Sequence, residues 1–320
     1  MLHSRTTHQV SHSEVIKISP SEKIGHDNPT TILLGQFNYL EGSPSLFEEK
    51  WMQTKKFSKT LVAIPKIKKA SHLIDNRGRI IYYQGDDGYV SPYANIARVI
   101  KQNKNTNISL LYVHDDLMVS GSLLERIGGK EWIVEDDFDG KTYEHTSGIF
   151  VQLYANKTYY TPRIHPKNLG WRNLIINECS ESLCKMFNDS RLKPYLQKDK
   201  HGTIYFIFKY GQSDMLYLNI VSQKQRNELL VILDLFYEYK LFLECAIPTL
   251  VYMMQRMFDI RVHHSPLCTS WNYTGLRNYP SEMIKTCLKN KDVKFEVFHP
   301  IKMSESLDSW KKNFDQLQLL

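Results

Sequence analysis

The stretch Ile108-Ser-Leu-Leu-Tyr-Val-His-Asp-Asp116 decides the fold class of this chain. Its first six residues are mostly apolar, which is typical of a strand buried on both faces of a sheet. Two carboxylates, Asp115 and Asp116, follow that strand directly. Ligands of open α/β sheets bind beyond the carboxyl ends of the strands, so the acidic pair stands where a ligand is expected.

The residues before this stretch predict alternating strands and helices. Short apolar, β-branched runs predict strands at Thr31–Gly35, Thr60–Pro65 and Arg79–Tyr83. Amphipathic spacing predicts a helix over Ser45–Phe57, and a capping Ser91 followed by a proline predicts the start of a second helix. The alternation predicts an α/β fold with a Rossmann-type mixed sheet that is mainly parallel and flanked by helices.

The pattern is looser after Gly121. The expected elements there are strands at Ile149–Tyr154, Thr203–Phe208 and Val293–Phe298, and helices over Trp171–Phe187, Asp214–Val221, Gln225–Phe258 and Glu305–Leu317. Residues 1–29 are polar, rich in His and Ser, and predict a flexible arm. A soft boundary near Gly140 separates residues 30–140 from residues 141–320, and we expect these two parts to share one core.

The composition favours a packed protein with an anionic ligand. Hydrophobic residues make up 42% of the chain, which argues against global disorder. The net charge of +7 suits a partner such as a pyrophosphate. The basic residues are dispersed and form no long arm, so no nucleic-acid partner is expected.

Cysteine usage and hydropathy bear on location. The five cysteines form no CxxC motif, and we expect reduced thiols in a cytoplasmic protein without a structural zinc site. The most apolar stretch, Leu229–Leu243, is interrupted by charged side chains, so we expect a buried amphipathic helix and no membrane span.

The acidic pair indicates a divalent metal. Two adjacent carboxylates repel each other unless a cation neutralises them, and Mg²⁺ or Mn²⁺ supplies that charge while leaving positions open for substrate phosphates. The alternative is a solvated turn in which one of the two aspartates caps the following segment. A rival pair, Asp86 and Asp87, lies between glycines and favours a plain turn; if it is functional, Asp87 contacts the ribose or the base.

The order of strands and helices up to His114-Asp-Asp116, and the short tail His299-Pro-Ile-Lys302, resemble GT-A nucleotide-sugar glycosyltransferases. The segments 111–117 and 299–302 are specifically similar to divergent transferases of large DNA viruses and some lower eukaryotes. The resemblance spans roughly residues 31–304 as an order of elements, with only short motifs matching. The usual D-x-D motif has His114 in its first position here, and we favour Asp116 as the ligand, with Asp115 on the metal or the ribose.

The resemblance implies roles for the C-terminal tail and for the chain halves. GT-A enzymes commonly return a C-terminal His to the metal and a nearby Lys to the departing phosphate, which His299 and Lys302 match. His264 is a reserve for the metal. Residues 30–140 become the nucleotide-sugar-binding half and residues 141–320 the acceptor-binding half.

Two carboxylates are candidates for the base that deprotonates an acceptor hydroxyl. Asp214 follows a strand and a glycine at an expected helix start, where many inverting GT-A enzymes place their base; the alternative is a helix cap. Glu244 lies inside an apolar run, where an unpaired charge is expensive to bury. Its alternative role is a buried ion pair with Arg256 or Arg261. Asp214 is preferred.

The nucleobase end is expected at Gly35-Gln36-Phe37, after the first strand, where the family stacks and hydrogen-bonds the base. Asn95 and Arg98 on the next helix approach the same end. The resemblance therefore implies a UDP-sugar donor, a glycan or glycoprotein acceptor, and Mn²⁺ or Mg²⁺ as cofactor. The alternatives are a metal-dependent phosphohydrolase or nuclease, and a non-catalytic carbohydrate- or RNA-binding protein.

Overall fold

The computed structural model describes residues 31–37, 44–65, 80–85, 91–103, 107–137, 148–154, 157–163, 182–209, 211, 214–269, 279–301 and 307–319. The strands are β1 Thr31–Gln36, β2 Lys59–Pro65, β3 Ile80–Gly85, β4 Ile108–His114, β5 Met118–Val119, β6 Trp132–Asp137, β7 Gly148–Tyr154, β8 Lys157–Arg163, β9 Gln197–Lys198, β10 Ile204–Phe208, β11 Met215–Ile220, β12 Val262–Thr269 and β13 Val297–His299. The helices are α1 Pro44–Gln53, α2 Ser91–Gln102, α3 Gly121–Arg126, α4 Gln223–Glu238, α5 Leu243–Phe258, α6 Pro280–Leu288 and α7 Leu307–Gln318.

A nine-stranded sheet forms the centre of the molecule, in the order β3-β2-β1-β4-β11-β6-β12-β13-β5. Five of its eight neighbouring pairs are parallel, and the antiparallel pairs involve only β11 and β5. The predicted α/β class with a mainly parallel mixed sheet is therefore confirmed. Strands from both sides of residue 140 alternate in this one sheet.

The sequence order of the strands changes direction at β1, with β2 and β3 on one side and β4 on the other. The chain builds outward through β2 and β3 on one side of β1, and then places β4 on the other side, parallel to β1. The helices of the two crossovers pack on opposite faces of the sheet, α1 in one hydrophobic cluster and α2 in the other. Such a point opens a crevice where α/β proteins bind ligands.

Two hydrophobic clusters cover the sheet. Buried side chains alternate along β4: Leu110 and Tyr112 belong to the cluster with α2, α4 and α5, while Leu111 and Val113 belong to the cluster with α1, α6 and α7. Both faces of the strand are dry, which explains its continuous apolar sequence. A smaller antiparallel sheet, in the order β8-β7-β10-β9, lies beside α5.

The structure corrects some sequence-based expectations. Residues Asp214–Val221, expected to be helical, contain strand β11, whose six residues are all buried. The region Gln225–Phe258, expected to be mostly helical, is confirmed as helical and is divided into two helices, α4 and α5. Strands β6 and β12 were not predicted. Both are made by residues that mix polar and apolar side chains, which hides a buried strand from a periodicity argument.

The expectation that all cysteines are reduced is also wrong. Cys268 on β12 and Cys287 on α6 form a disulfide with a Cα–Cα distance of 6.1 Å. Among the described residues, Cys184 and Cys245 are free thiols. Disulfides persist mainly in oxidising environments, so the pairing does not support the cytoplasmic location expected from the sequence.

No helix in the described part of the chain is long and apolar enough to cross a membrane. The segment expected to be a buried amphipathic helix, Leu229–Leu243, is divided between α4 and the first residue of α5. The flexible arm expected at residues 1–29 lies outside the described residues.

Candidate functional site

Four chain segments bring ionisable side chains to one edge of the large sheet. This edge holds the carboxyl ends of β4, β6 and β13 and the amino end of β11, because β11 runs antiparallel to both of its neighbours. Asp115 and Asp116 follow β4, Asp214 precedes β11, and His299 ends β13. The fourth segment, β6, carries Glu135. Asp116, Asp214 and His299 are thus more than 80 residues apart from one another in sequence, and the order of the strands brings them together.

Asp116 and His299 face each other across this edge. Asp116 Oδ1 lies 3.4 Å from His299 Nε2. The backbone holds the two segments in place, since Ile301 N–H donates to the carbonyl of Asp116 over 2.6 Å. Asp116 Oδ1 is buried, and among the described residues the His299 ring is its charged partner.

This spacing suits a shared cation. Two ligand atoms at ~2.1 Å from one metal ion are about 3.0–3.4 Å apart in octahedral or tetrahedral geometry. Carboxylate oxygen and imidazole nitrogen are both ligands that Mn²⁺ accepts. The pair therefore fits two adjacent positions of a divalent metal, with the remaining positions left for water and substrate oxygens.

A second carboxylate, Asp214, lies between two imidazole rings. Its Oδ1 is 3.3 Å from His114 Nδ1, and its Oδ2 is 3.6 Å from His299 Nδ1. The four side chains form a row in which imidazoles and carboxylates alternate: His114, Asp214, His299 and Asp116. A metal-binding histidine commonly has a carboxylate beside its other ring nitrogen, which fixes the ring orientation.

Mutual charges dominate the electrostatics of the row. Burial by itself raises the pKa of Asp116, but the neighbouring imidazolium of His299 and a smaller effect of His114 lower that pKa to about 2. Burial lowers the pKa of His299, and the charges of Asp214 and Asp116 outweigh it and raise that pKa to about 10. In the absence of another cation, the imidazolium therefore neutralises the carboxylates around it.

The sequence analysis missed Glu135 in this site. Glu135 lies on β6 with 0% of its surface exposed, and its Oε1 accepts the backbone N–H groups of Asp214 and Met215, the second over 3.1 Å. Burial, and then the charge of Asp214, raise the pKa of Glu135 well above its usual value. An acid next to the apolar run Trp132-Ile-Val134 was the available signal, and it was overlooked because β6 itself was not predicted.

Asp115 is held to the neighbouring strand β1 through its backbone. It is buried, and its N–H donates to the carbonyl of Gln36 over 2.9 Å, which continues the β1–β4 pairing. Within the residues that the structure describes, no group of three or more His, Cys, Asp or Glu side chains is arranged to hold a metal. The structure thus brings Asp116 and His299 together, but it does not assemble them with Asp115 into a three-ligand set.

The predicted nucleobase end is a tightly packed corner. Asn95 Nδ2 donates to Gln36 Oε1 over 2.9 Å, and Arg98 Nη1 donates to Asn95 Oδ1 over 3.4 Å. Phe37 is 1% exposed and packs edge-on against Phe47, with ring centroids 5.4 Å apart. Phe37 is thus a core residue here, and a base-stacking role would require its ring to leave this packing.

Gly35 allows the close approach of α1 to the sheet. A Cβ at this position would lie 2.6 Å from Phe47 Cε1, inside van der Waals contact. The structural reason for this glycine is therefore helix–sheet packing, and any contact with a base stays a prediction.

The remaining predicted residues occupy varied positions. Asp214 precedes a strand, so the helix start expected there is wrong. Glu244 lies in the first turn of α5, and its carbonyl accepts Gly211 N–H over 2.9 Å. Burial, and then the charges of Asp214, Glu135, Glu244 and Asp116, raise the pKa of the buried Tyr112 hydroxyl, so Glu244 lies close to this group. Asp87 and Lys302 lie outside the described residues.

His264, the reserve metal ligand, lies on β12 opposite Val134 of β6. Burial, with a smaller effect of His263, lowers its pKa. It is His299 that the structure places beside Asp116.

Comparisons with known proteins give no sequence match. No family model matches the chain, and no curated protein matches it. Several solved structures have a similar shape. One is the bifunctional glycosyltransferase WbbM, with a TM-score of 0.42 and 10% identity over 93% of this chain and 53% of that one, so the chain spans about half the length of WbbM.

Two further structures match at lower TM-scores. The galactosyltransferase LgtC, solved with donor and acceptor sugar analogues, has a TM-score of 0.35 and 10% identity over 90% of this chain and 95% of that one. The CMP:2-keto-3-deoxy-manno-octonic acid synthetase, solved with CTP, has a TM-score of 0.32 and 9% identity over 75% of this chain and 90% of that one.

Proposed function

We propose that this chain is a metal-dependent glycosyltransferase that moves a sugar from a nucleotide-diphosphate donor, most simply a UDP-sugar, to a hydroxyl of a glycan or glycoprotein, with inversion. The observation that carries the proposal is the pair Asp116 Oδ1 and His299 Nε2, 3.4 Å apart at the edge of the sheet. Asp116 Oδ1 is buried, and a bound cation would take the place of the His299 imidazolium as its counter-charge.

The position of the pair supports a nucleotide-diphosphate as the ligand. Asp116 follows β4, next to the point where the sequence order of the strands changes direction between β1 and β4. Mononucleotides and dinucleotides bind at such points in α/β proteins. Mg²⁺ and Mn²⁺ often take only one or two protein ligands and complete their coordination with water and substrate phosphates. Two preset ligands, Asp116 and His299, are enough for that mode.

The proposed roles follow from these positions. Asp116 and His299 hold Mn²⁺ or Mg²⁺, with Asp115 on the metal or the ribose. The bound cation would offset the charge that develops on the departing diphosphate. Asp87 and Lys302 keep the roles proposed from the sequence, on the nucleoside and on the leaving phosphate.

The base that takes the acceptor proton is proposed from two carboxylates. Asp214 is the first choice, since 17% of its side chain is exposed at the same edge as Asp116. Its carboxylate would take the proton of the acceptor hydroxyl as the oxygen attacks the sugar and the bond to the departing diphosphate breaks, and the His114 ring beside Oδ1 would share that proton. Glu244, at the start of α5, is the second choice.

A binding and turnover experiment tests the proposal. The purified chain is screened by thermal shift against a panel of nucleotide-sugars with Mn²⁺, since a bound donor raises the melting temperature by mass action. Hydrolysis of the stabilising donor is then measured for the wild type, Asp116→Ala, His299→Ala and the control Glu296→Gln. Glu296 is a buried carboxylate directly before β13, it pairs with His263 over 2.7 Å, and it is not one of the proposed site residues.

The proposal predicts that turnover requires Mn²⁺ or Mg²⁺, is lost in the first two variants and persists in Glu296→Gln. Cleavage of phosphodiesters without nucleotide-sugar turnover would replace it with the phosphohydrolase or nuclease alternative. Binding of single-stranded RNA or a glycan without any turnover would replace it with the non-catalytic alternative.

A further inference from the structure

A buried carboxyl group holds the backbone that carries Asp214. Glu135 is fully buried on β6, and its Oε1 accepts two successive N–H groups, those of Asp214 and Met215. These residues are the start of β11, where the strand enters the sheet between β4 and β6. The backbone of β6 pairs with β11 only at Leu216 and Tyr217. At Asp214 and Met215 one carboxyl oxygen of Glu135 therefore accepts the N–H groups instead.

The same residue is fixed from its other side. His114 N–H at the end of β4 donates to the carbonyl of Asp214 over 2.9 Å. Both peptide groups of Asp214 are thus held by neighbouring strands, on one side by a backbone bond and on the other by the Glu135 side chain. The Asp214 carboxylate is then placed between His114 and His299, at 3.3 Å and 3.6 Å from their Nδ1 atoms.

We propose that Glu135 is a positioning residue of the site: by holding the start of β11 it sets the Asp214 carboxylate, which orients the His299 ring so that Nε2 faces Asp116. The inference rests on the proposed function in one respect, namely that the His299 ring binds a metal. The contacts among Glu135, Asp214 and His299 do not depend on that function. What matters in this role is the reach of the side chain and an acceptor oxygen at its end. A negative charge on Glu135 is not required, because two backbone N–H groups need only an acceptor oxygen in this position.

Two conservative variants separate reach from charge. Glu135→Gln keeps the length and an acceptor oxygen but cannot be charged. Glu135→Asp keeps the carboxylate but is one methylene shorter, so its oxygen falls short of the Asp214 and Met215 amides. Glu296→Gln is the matched control, because Glu296 is also a buried carboxylate, directly before β13, and is not one of the row of site residues.

The first readout is the state of the histidines in the metal-free protein. Side-chain ¹⁵N NMR spectra of His114 and His299, assigned with single His→Asn variants, report on the surroundings of the ring nitrogens. The proposal predicts nearly wild-type signals in Glu135→Gln and Glu296→Gln, and shifts of both rings in Glu135→Asp that resemble those in Asp214→Asn. A merely structural role of Glu135 would lower the melting temperature without moving these signals selectively.

The second readout is the dissociation constant for Mn²⁺ alone, from the electron paramagnetic resonance signal of the free ion. Residues that orient a metal ligand typically change affinity by about 10–100-fold when altered. We expect Glu135→Asp to weaken binding by that amount and Glu135→Gln to stay within about threefold of wild type. The opposite ranking, with the Gln variant impaired and the Asp variant normal, would show that charge is what matters and would overturn the proposal.

The two readouts also separate the two proposals. If the wild type binds no Mn²⁺ while the histidine signals respond as predicted, the proposed function fails and the positioning role stands. If Mn²⁺ binds but the histidine signals of Glu135→Asp equal those of the wild type, the positioning role fails alone.

Discussion

The disulfide between Cys268 and Cys287 should make a measurable contribution to stability. The two residues are 19 apart in sequence, and Cys268 pairs with Phe298, the neighbour of His299. Closing a loop of this size in the unfolded chain removes conformational entropy equivalent to about 3 kcal/mol. For a chain of 320 residues this corresponds to a shift of the melting temperature of about 4–5 °C.

Thermal unfolding with and without a reductant measures this contribution. We expect the reductant to lower the melting temperature of the wild type by that amount and to leave Cys268→Ala/Cys287→Ala unaffected. Cys184→Ala, which removes a free thiol, should respond to the reductant like the wild type. The denatured, unreduced protein should contain three reactive thiols. A count of five, together with a melting temperature that ignores the reductant, would refute the reasoning.

Three further predictions follow from other parts of the structure. Gly35→Ala should lower the free energy of unfolding by about 1–3 kcal/mol because of the contact with Phe47 at 2.6 Å, and Phe47→Leu should recover part of that loss in urea unfolding of the double variant. Burial lowers the pKa of Lys209 from 10.5 to about 8, so the free energy of unfolding should rise between pH 8 and 10.5, and urea unfolding of Lys209→Met should lack that rise. The pKa of Asp116 is lowered from 3.8 to about 2, so its contribution to stability is present above pH 3.8 and is lost as the pH falls towards 2; acid titration of Asp116→Asn should lack that part of the transition.

The N-terminal half of the fold could be predicted because its strands are consecutive and because β1 and β4 are buried along their whole length. The strand expected at Thr31–Gly35 is β1, one residue longer, and the apolar run before His114 is β4. In the C-terminal half, the strands expected at Ile149–Tyr154 and Thr203–Phe208 and the helix expected over Glu305–Leu317 are confirmed as β7, β10 and α7, but the central strand β11 was not predicted. Strand β11 is buried throughout, so it has no alternation, and an apolar run of this length fits a helix as well as a strand. Its neighbours, β4 and β6, are remote in sequence.

Part of the site could be predicted because two of its residues follow apolar strands. Asp116 and His299 each follow a recognisable apolar run, and ligand chemistry suggested both. Glu135 acts through backbone amides of a residue about 80 positions away, and no local pattern encodes such a contact. The row of four side chains at the site likewise depends on the order of the strands in the sheet, which could not be predicted from the sequence.

The place of β11 between β4 and β6 has a consequence for synthesis on the ribosome. Strand β4 ends at His114 and its partner begins only at Met215, so about 100 residues must be translated before that edge is covered, or about 5–20 s at ordinary rates. During that time the nascent chain exposes an unpaired apolar strand, the kind of edge that recruits other chains. Fragments that stop before residue 215 should therefore aggregate when expressed, and recovery of the full chain should depend on chaperones that bind during elongation.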